Sequence, residues 1–217
     1  MEYVVTTLRE AVTINQLITI YYFEFGKNCR WDGESHDFWE LIYVDGGELV
    51  ANIEDRYVSL RQGDILFYPP NYFHTHHSNG SEPANIMVVT FICHSKELLS
   101  MGNRVMHLND QQASLLSSVI REAQNAFSSP LDIFIACELI RKTDPVFGSE
   151  QLIRMNLEML ILDLIRNNAL VPAASPITTF KAMSDNEKVS KMIGFLNDNV
   201  YKRVQLADVC AYTTLSP

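Results

Sequence analysis

The feature that most constrains this chain is a series of short runs between about Gln16 and Ile92, each closed by a turn signal. The runs are QLITIYYFEF, HDFWELIYV, ELVANI, RYVSL, DILFY and ANIMVVTFI, with Gly46-Gly47, Glu54-Asp55, Gln62-Gly63 and Pro69-Pro70-Asn71 between them. Strands spaced so closely leave no room for crossover helices. The segment therefore reads as an all-β sandwich or barrel and not as βαβ units. The run ANIMVVTFI is apolar on both faces except at Thr90, which fits an inner strand covered by later helices.

After His94 the apolar period changes from two to 3.6. In Asn109–Phe127, residues Leu115, Leu116, Val119, Ile120, Ala123 and Phe127 form one stripe, so this helix lies on the barrel. Leu131–Thr143 is apolar without a clear period and is assigned to helix. Glu150–Asn167 carries two stripes: Ile153, Leu157, Leu160, Ile161 and Leu164 on one side, Leu152, Met155, Met159 and Leu162 on the other. One side covers the barrel. The second needs another body, either a third helix of the same chain or a symmetry mate, and a homodimer through Leu152, Met155, Met159 and Leu162 is the sharper expectation. Residues 168–186 hold two prolines and small residues without periodicity, as a linker does. Ser184 or Asp185 then caps a new helix carrying Val189, Met192, Ile193 and Leu196.

Charge divides the chain along the same line. The net formal charge is −9, but residues 181–217 hold five basic and four acidic residues, leaving 12 against 22 for residues 1–180. Phosphate neutralisation dominates nucleic-acid affinity, so the main body should not touch DNA. Cys29, Cys93, Cys137 and Cys210 lie far apart with no CxxC pair, which points to reduced thiols. No secretion signal and no membrane-length apolar run is present, and a cytoplasmic location is expected.

Two stretches carry chemistry. In the first, His36 is followed after three residues by Glu40, which is followed after six residues by Gly47. In the second, Gly63, five residues, Pro69, one residue, Asn71, two residues and His74 form a fixed pattern. Strand alternation points His36, Phe38, Glu40 and Ile42 one way, inward in a small barrel. It puts His76 with His74, and His77 on the opposite, surface face. Together the two stretches resemble the paired signature motifs of cupins, with Asn71 where the motif has glycine; asparagine is the next residue best suited to positive φ. The resemblance implies a cupin barrel over about 15–93, with helices over about 109–167, in a sensing and dimerising domain spanning 1–167. Metal-binding cupins use a His-x-His, the Glu and the later His, so the set carried over here is Glu34, His36, Glu40 and His74. Glu34 replaces the first histidine. Regulators with this barrel commonly bind no metal, so no cofactor is expected and a transition metal stays the alternative. Without metal the same space is a ligand pocket formed by Trp31, His36, Phe38, Glu40, Tyr68, His74 and His76. Trp39, Tyr43 and Tyr72 lie near these in sequence. Aromatic faces stack on sugar rings, which makes a carbohydrate the first effector class to consider.

The stretch KVSKMIGFLNDNVYKRVQLADVCAYTTLSP resembles the opening of the DNA-binding domain of AraC/XylS-type transcription regulators. Leu206, Ala207, Val209 and Cys210 match the core face of the first helix of a helix-turn-helix, and Tyr212-Thr213-Thr214 its turn. Ser216 and Pro217 match the N-cap and first position of the recognition helix. The resemblance implies an all-β cupin barrel with C-terminal α-helices, followed over 187–217 by the first helices of an all-α domain cut short at its reading helix. The chain would then be a non-enzymatic sensor of a small molecule, dimeric, whose longer parent contacts DNA through residues that include Thr213, Thr214 and Ser216. A metal-dependent cupin enzyme, an isomerase or dioxygenase, is the rival. On the regulator reading the 217-residue chain should give no footprint at any defined DNA site at physiological salt, because base readout comes from the helix placed in the major groove.

Overall fold

The computed structural model describes residues 2–53, 56–133 and 138–168. Its strands are β1 (Ile14–Phe25), β2 (Arg30–Glu34), β3 (Trp39–Gly46), β4 (Glu48–Ile53), β5 (Arg56–Arg61), β6 (Asp64–Tyr68), β7 (His74–Ser78), β8 (Ala84–Cys93) and β9 (Val105–His107). They form a five-stranded sheet in the order β1-β8-β3-β6-β9 and a four-stranded sheet in the order β2-β7-β4-β5. Every ladder is antiparallel. A short 3-10 helix, Lys96–Met101, precedes β9, and two α-helices follow, α1 (Asp110–Ala126) and α2 (Ser149–Asn168).

The period-two pattern of β3 explains how one strand serves two cores. Ile42 and Val44 pack with Leu49, Leu60 and Leu66 between the sheets. Leu41 and Tyr43, on the other face, pack with Phe67, Val89 and Phe91 under the helices. Glu40 shares the parity of Ile42 and so belongs to the inner side. The turn from β3 to β4 requires Gly47: its φ is 75°, and a Cβ there would lie 2.3 Å from the Pro83 carbonyl oxygen.

The stripe of α1 is buried on the outer face of the five-stranded sheet through Leu116, Val119 and Ala123. Its start is a reciprocal capping box: the Gln112 amide donates to Asn109 Oδ1 at 2.9 Å, and the Asn109 amide to Gln112 Oε1 at 2.9 Å. Gln112 Nε2 also donates to Asp163 on α2 at 2.6 Å, tying the two helices. The inner stripe of α2, Ile153, Leu157, Leu160, Ile161 and Leu164, is buried as the pattern requires. The second stripe stays open, with Leu152, Met155 and Met159 exposed by 41, 47 and 50%. Leu162 is half-buried against the core. Glu158, between the stripes, accepts from the Ile14 amide at 2.9 Å and from Arg154 at 2.8 Å, fastening α2 to the start of β1.

Two expectations need correction. The described residues of Leu131–Thr143 are not helical. Phe127 bridges Arg141, the Ile140 amide donates to Ser129 Oγ at 2.7 Å, and the Lys142 amide donates to the Ala126 carbonyl at 2.9 Å. Among the described residues these cross-links tie the segment's end to the end of α1 in place of a helix ladder. Strand structure also does not end near His94, since β9 pairs with β6; three residues are too few to show a period. Residues 169–217, with the linker and the helix-turn-helix positions Thr213, Thr214 and Ser216, lie outside the described residues. Among the described residues no helix is long and apolar enough to cross a membrane.

If α2 has one packed and one open face, Leu160→Ala should destabilise dilute protein by about 2–5 kcal/mol in urea unfolding. Met159→Ala should change it by about 0.5 kcal/mol or less.

Candidate functional site

Register brings the site together. Glu40 is the second residue of β3, opposite Tyr68 on β6 and Thr90 on β8. His74 opens β7, opposite Glu34 on β2, and His76 lies opposite Trp31. Asn71 takes φ 68°, as expected where the motif carries glycine, and its amide donates to the His36 carbonyl at 2.7 Å. That turn thus positions both histidines of the cluster.

His36 and Phe38 are not on the strand, which begins at Trp39. They reach the site from the preceding loop, where their rings stack at 3.8 Å. The simple alternation expected of them is therefore corrected, although the side chains converge on Glu40 all the same. His36 Nδ1 faces the Phe38 carbonyl at 3.0 Å, and His74 Nδ1 faces the Tyr72 carbonyl at 3.0 Å. A carbonyl only accepts, so each Nδ1 carries a proton and each Nε2 turns to Glu40, at 3.4 Å from His36 and 3.6 Å from His74.

Burial pushes the Glu40 carboxyl pKa up, but His36 and His74 outweigh it and hold the group at about 2. For His74 burial acts against the charge, and the facing Glu40 carboxylate overcomes it, raising the pKa. Burial lowers His76 to about 4. Burial also raises Tyr68, with Glu40's charge adding to it, so the Tyr68 hydroxyl donates to neutral His76 Nε2 at 2.7 Å. The Tyr68 ring stacks on His74 at 4.2 Å. Glu34 is raised by burial and by Glu40, with the two histidines pulling the other way.

The four residues carried over as a metal set, Glu34, His36, Glu40 and His74, place their donor atoms within 4.8 Å of one another. His74 Nε2 is buried without a hydrogen-bond partner. With each Nδ1–H spent on a carbonyl, the Nε2 lone pairs and the carboxylate oxygens converge as a metal's ligands do. The donor set fits a divalent transition ion, which would act there as a Lewis acid.

Beside this cluster lies a cavity of about 530 Å³. Of the expected pocket residues, Trp31, Phe38, Glu40 and His76 line it, and Glu34 with them. His36, Tyr68 and His74 stand behind, holding Glu40 and His76. Trp39 and Tyr43 belong to the core under the helices, Trp39 donating to the Cys93 carbonyl at 3.2 Å. Tyr72 is exposed. His77, unlike buried His74 and His76, is partly exposed, with its ring against Tyr57. Sequence reasoning missed the wall given by β1 and β8, including Ile18, Tyr21, Phe23 and Val88. It also missed Thr19, whose hydroxyl meets that of Thr90 at 2.6 Å. The signal was available: Thr19, Tyr21, Phe23 and Phe25 alternate along β1, and Thr90 is the polar break in β8.

The Cupin domain family model matches residues 24–90, and the two-sheet barrel is a cupin fold. Among solved structures the chain is similar to the apo form of a ToxT variant from Vibrio cholerae. The identity is 11% over 94% of this chain and 73% of that one, with a TM-score of 0.47. It is similar to unsaturated fatty acid bound wild-type ToxT from the same organism at 12% identity over 96% and 72%, with a TM-score of 0.44. It is also similar to a cupin superfamily protein from Desulfitobacterium hafniense at 19% identity over 41% and 84%, with a TM-score of 0.33. No curated protein matches the chain.

Replacing Tyr68 by Phe leaves buried His76 Nε2 without its donor. The variant should lose about 1–3 kcal/mol of stability in denaturant titration.

Proposed function

We propose that this chain is the sensing part of a transcription regulator: a small molecule enters the barrel and biases how two copies are held. The observation that carries the reading is the cavity of about 530 Å³, walled mainly by apolar and aromatic side chains with an ordered polar cluster at Glu40. Such a mixture suits a small-molecule pocket, and Trp31 and Phe38 offer ring faces of the kind that stack on sugars. The exposed stripe of α2 supports a homodimer, since an isologous helix pair would cover both copies of Leu152, Met155 and Met159 at once. The resemblance of residues 187–217 to an AraC-type domain supports a DNA-binding parent. On this reading the protein is no enzyme and works in the cytoplasm.

A metal-dependent cupin enzyme is the second reading, favoured by the convergence of Glu34, His36, Glu40 and His74. Trace-metal analysis of purified protein separates the two. A stoichiometric transition metal, lost in His74→Ala, would favour the enzyme; a substoichiometric content would favour the sensor.

Two mutational outcomes follow from the sensor reading. His36→Ala, Glu40→Ala and His74→Ala should each weaken binding of the effector, screened by thermal shift and measured by calorimetry, by about ten-fold or more while the barrel's circular dichroism persists. Normal binding in all three would mean that the pocket is misplaced. Met155→Glu combined with Met159→Glu should halve the mass seen by light scattering without loss of fold, because a carboxylate pair would face its own symmetry mate.

A further inference from the structure

We infer that the cavity between the sheets is built for an organic cation with an apolar body, an amine or quaternary ammonium, and not for a sugar or a carboxylate. The inference rests on the reading of this cavity as the effector site. Four carboxylates border it, Glu40 buried and Glu24, Glu34 and Asp132 exposed, against one exposed guanidinium, Arg30, and no lysine among the described residues. Arg30 already faces Asp32 at 3.4 Å. Glu40 is held between His36 and His74, but no hydrogen bond or ion pair from the described residues reaches the Glu34 carboxylate, which shares the same cluster.

The rest of the lining supplies what a cation with an apolar body needs. Tyr21, Phe23, Phe25, Trp31 and Phe38 all line the cavity. An aromatic face attracts a cation through its quadrupole, most strongly where water is excluded, and the same rings accept an alkyl or aryl body. A carboxylate ligand would add to the acidic excess and meet the charge of buried Glu40, where Coulomb repulsion is least screened. A neutral sugar would leave that excess uncompensated.

Calorimetry on the full chain in the presence of EDTA tests this with four probes. They are benzyltrimethylammonium, its neutral carbon isostere neopentylbenzene, phenylacetate and glucose. The ammonium is expected to bind about ten-fold or more tightly than the isostere. Glu34→Gln should remove most of that advantage, and Trp31→Leu should weaken the ammonium further, with circular dichroism showing both variants folded. Equal or tighter binding of neopentylbenzene, phenylacetate or glucose would overturn the cation while leaving the cavity as a ligand site. Ammonium binding that survives both substitutions would place the probe elsewhere and overturn the inference. Binding of none of the four would overturn both the cation and the effector-site reading.

Discussion

A carboxylate kept ionised in a buried place is what the rest of this site depends on. Glu40 is almost wholly removed from water, and a lone carboxylate there would take up a proton. Two imidazoles prevent it. Each spends its Nδ1–H on a backbone carbonyl two residues away along the chain and turns Nε2 toward Glu40. If both imidazoles were neutral, their lone pairs would face a negative group and repel it. The arrangement therefore calls for positive charge: protons on the histidines, a metal ion among the four donors, or a cationic group from a ligand. Each functional reading of the barrel is a different answer to that one electrostatic demand.

The fold makes the demand possible by crossing two sheets' worth of register. The five-stranded sheet presents Glu40 and Thr90, and the four-stranded sheet presents Glu34, His74 and His76. The Pro69–Tyr72 turn, which needs Asn71 at positive φ, sets where β7 begins and holds the loop carrying His36. On the other side, β1 lines the cavity through Ile18 and Thr19 while its first amide is bonded to Glu158 of α2. One strand thus touches both the pocket and the helix whose outer stripe is open.

Much of this was legible in the sequence, for identifiable reasons. The strands β3, β4, β5, β6 and β8 alternate apolar side chains or are apolar throughout, and each was found. The two α-helices declared themselves by stripes, α2 by a pair of them. By contrast β2, with the sequence Arg-Trp-Asp-Gly-Glu, has no apolar alternation, because its side chains face solvent and the site. β7 was visible only through the spacing of its histidines. Glu40, His74 and the φ of Asn71 were recoverable from motif spacing, whereas the loop origin of His36 was not, since its position depends on stacking with Phe38. Leu131–Thr143 reads as helix in the sequence because a run of apolar residues does not say whether an amide such as that of Ile140 bonds within a helix ladder or, as here, to a serine hydroxyl.

The most direct test is a carbon-13 NMR titration of the Glu40 side-chain carboxyl in metal-free protein, assigned with the Glu40→Gln variant. The account predicts a carboxylate shift that stays constant as pH falls through the ordinary value of 4.5 and titrates only at about 2. A group with a depressed folded pKa stabilises the fold above its unfolded pKa, and that contribution should fade as pH drops from 4.5 toward 2. Titration at or above 4.5 in folded protein would contradict the account, because the two histidines would then not be holding the charge on which the site is built.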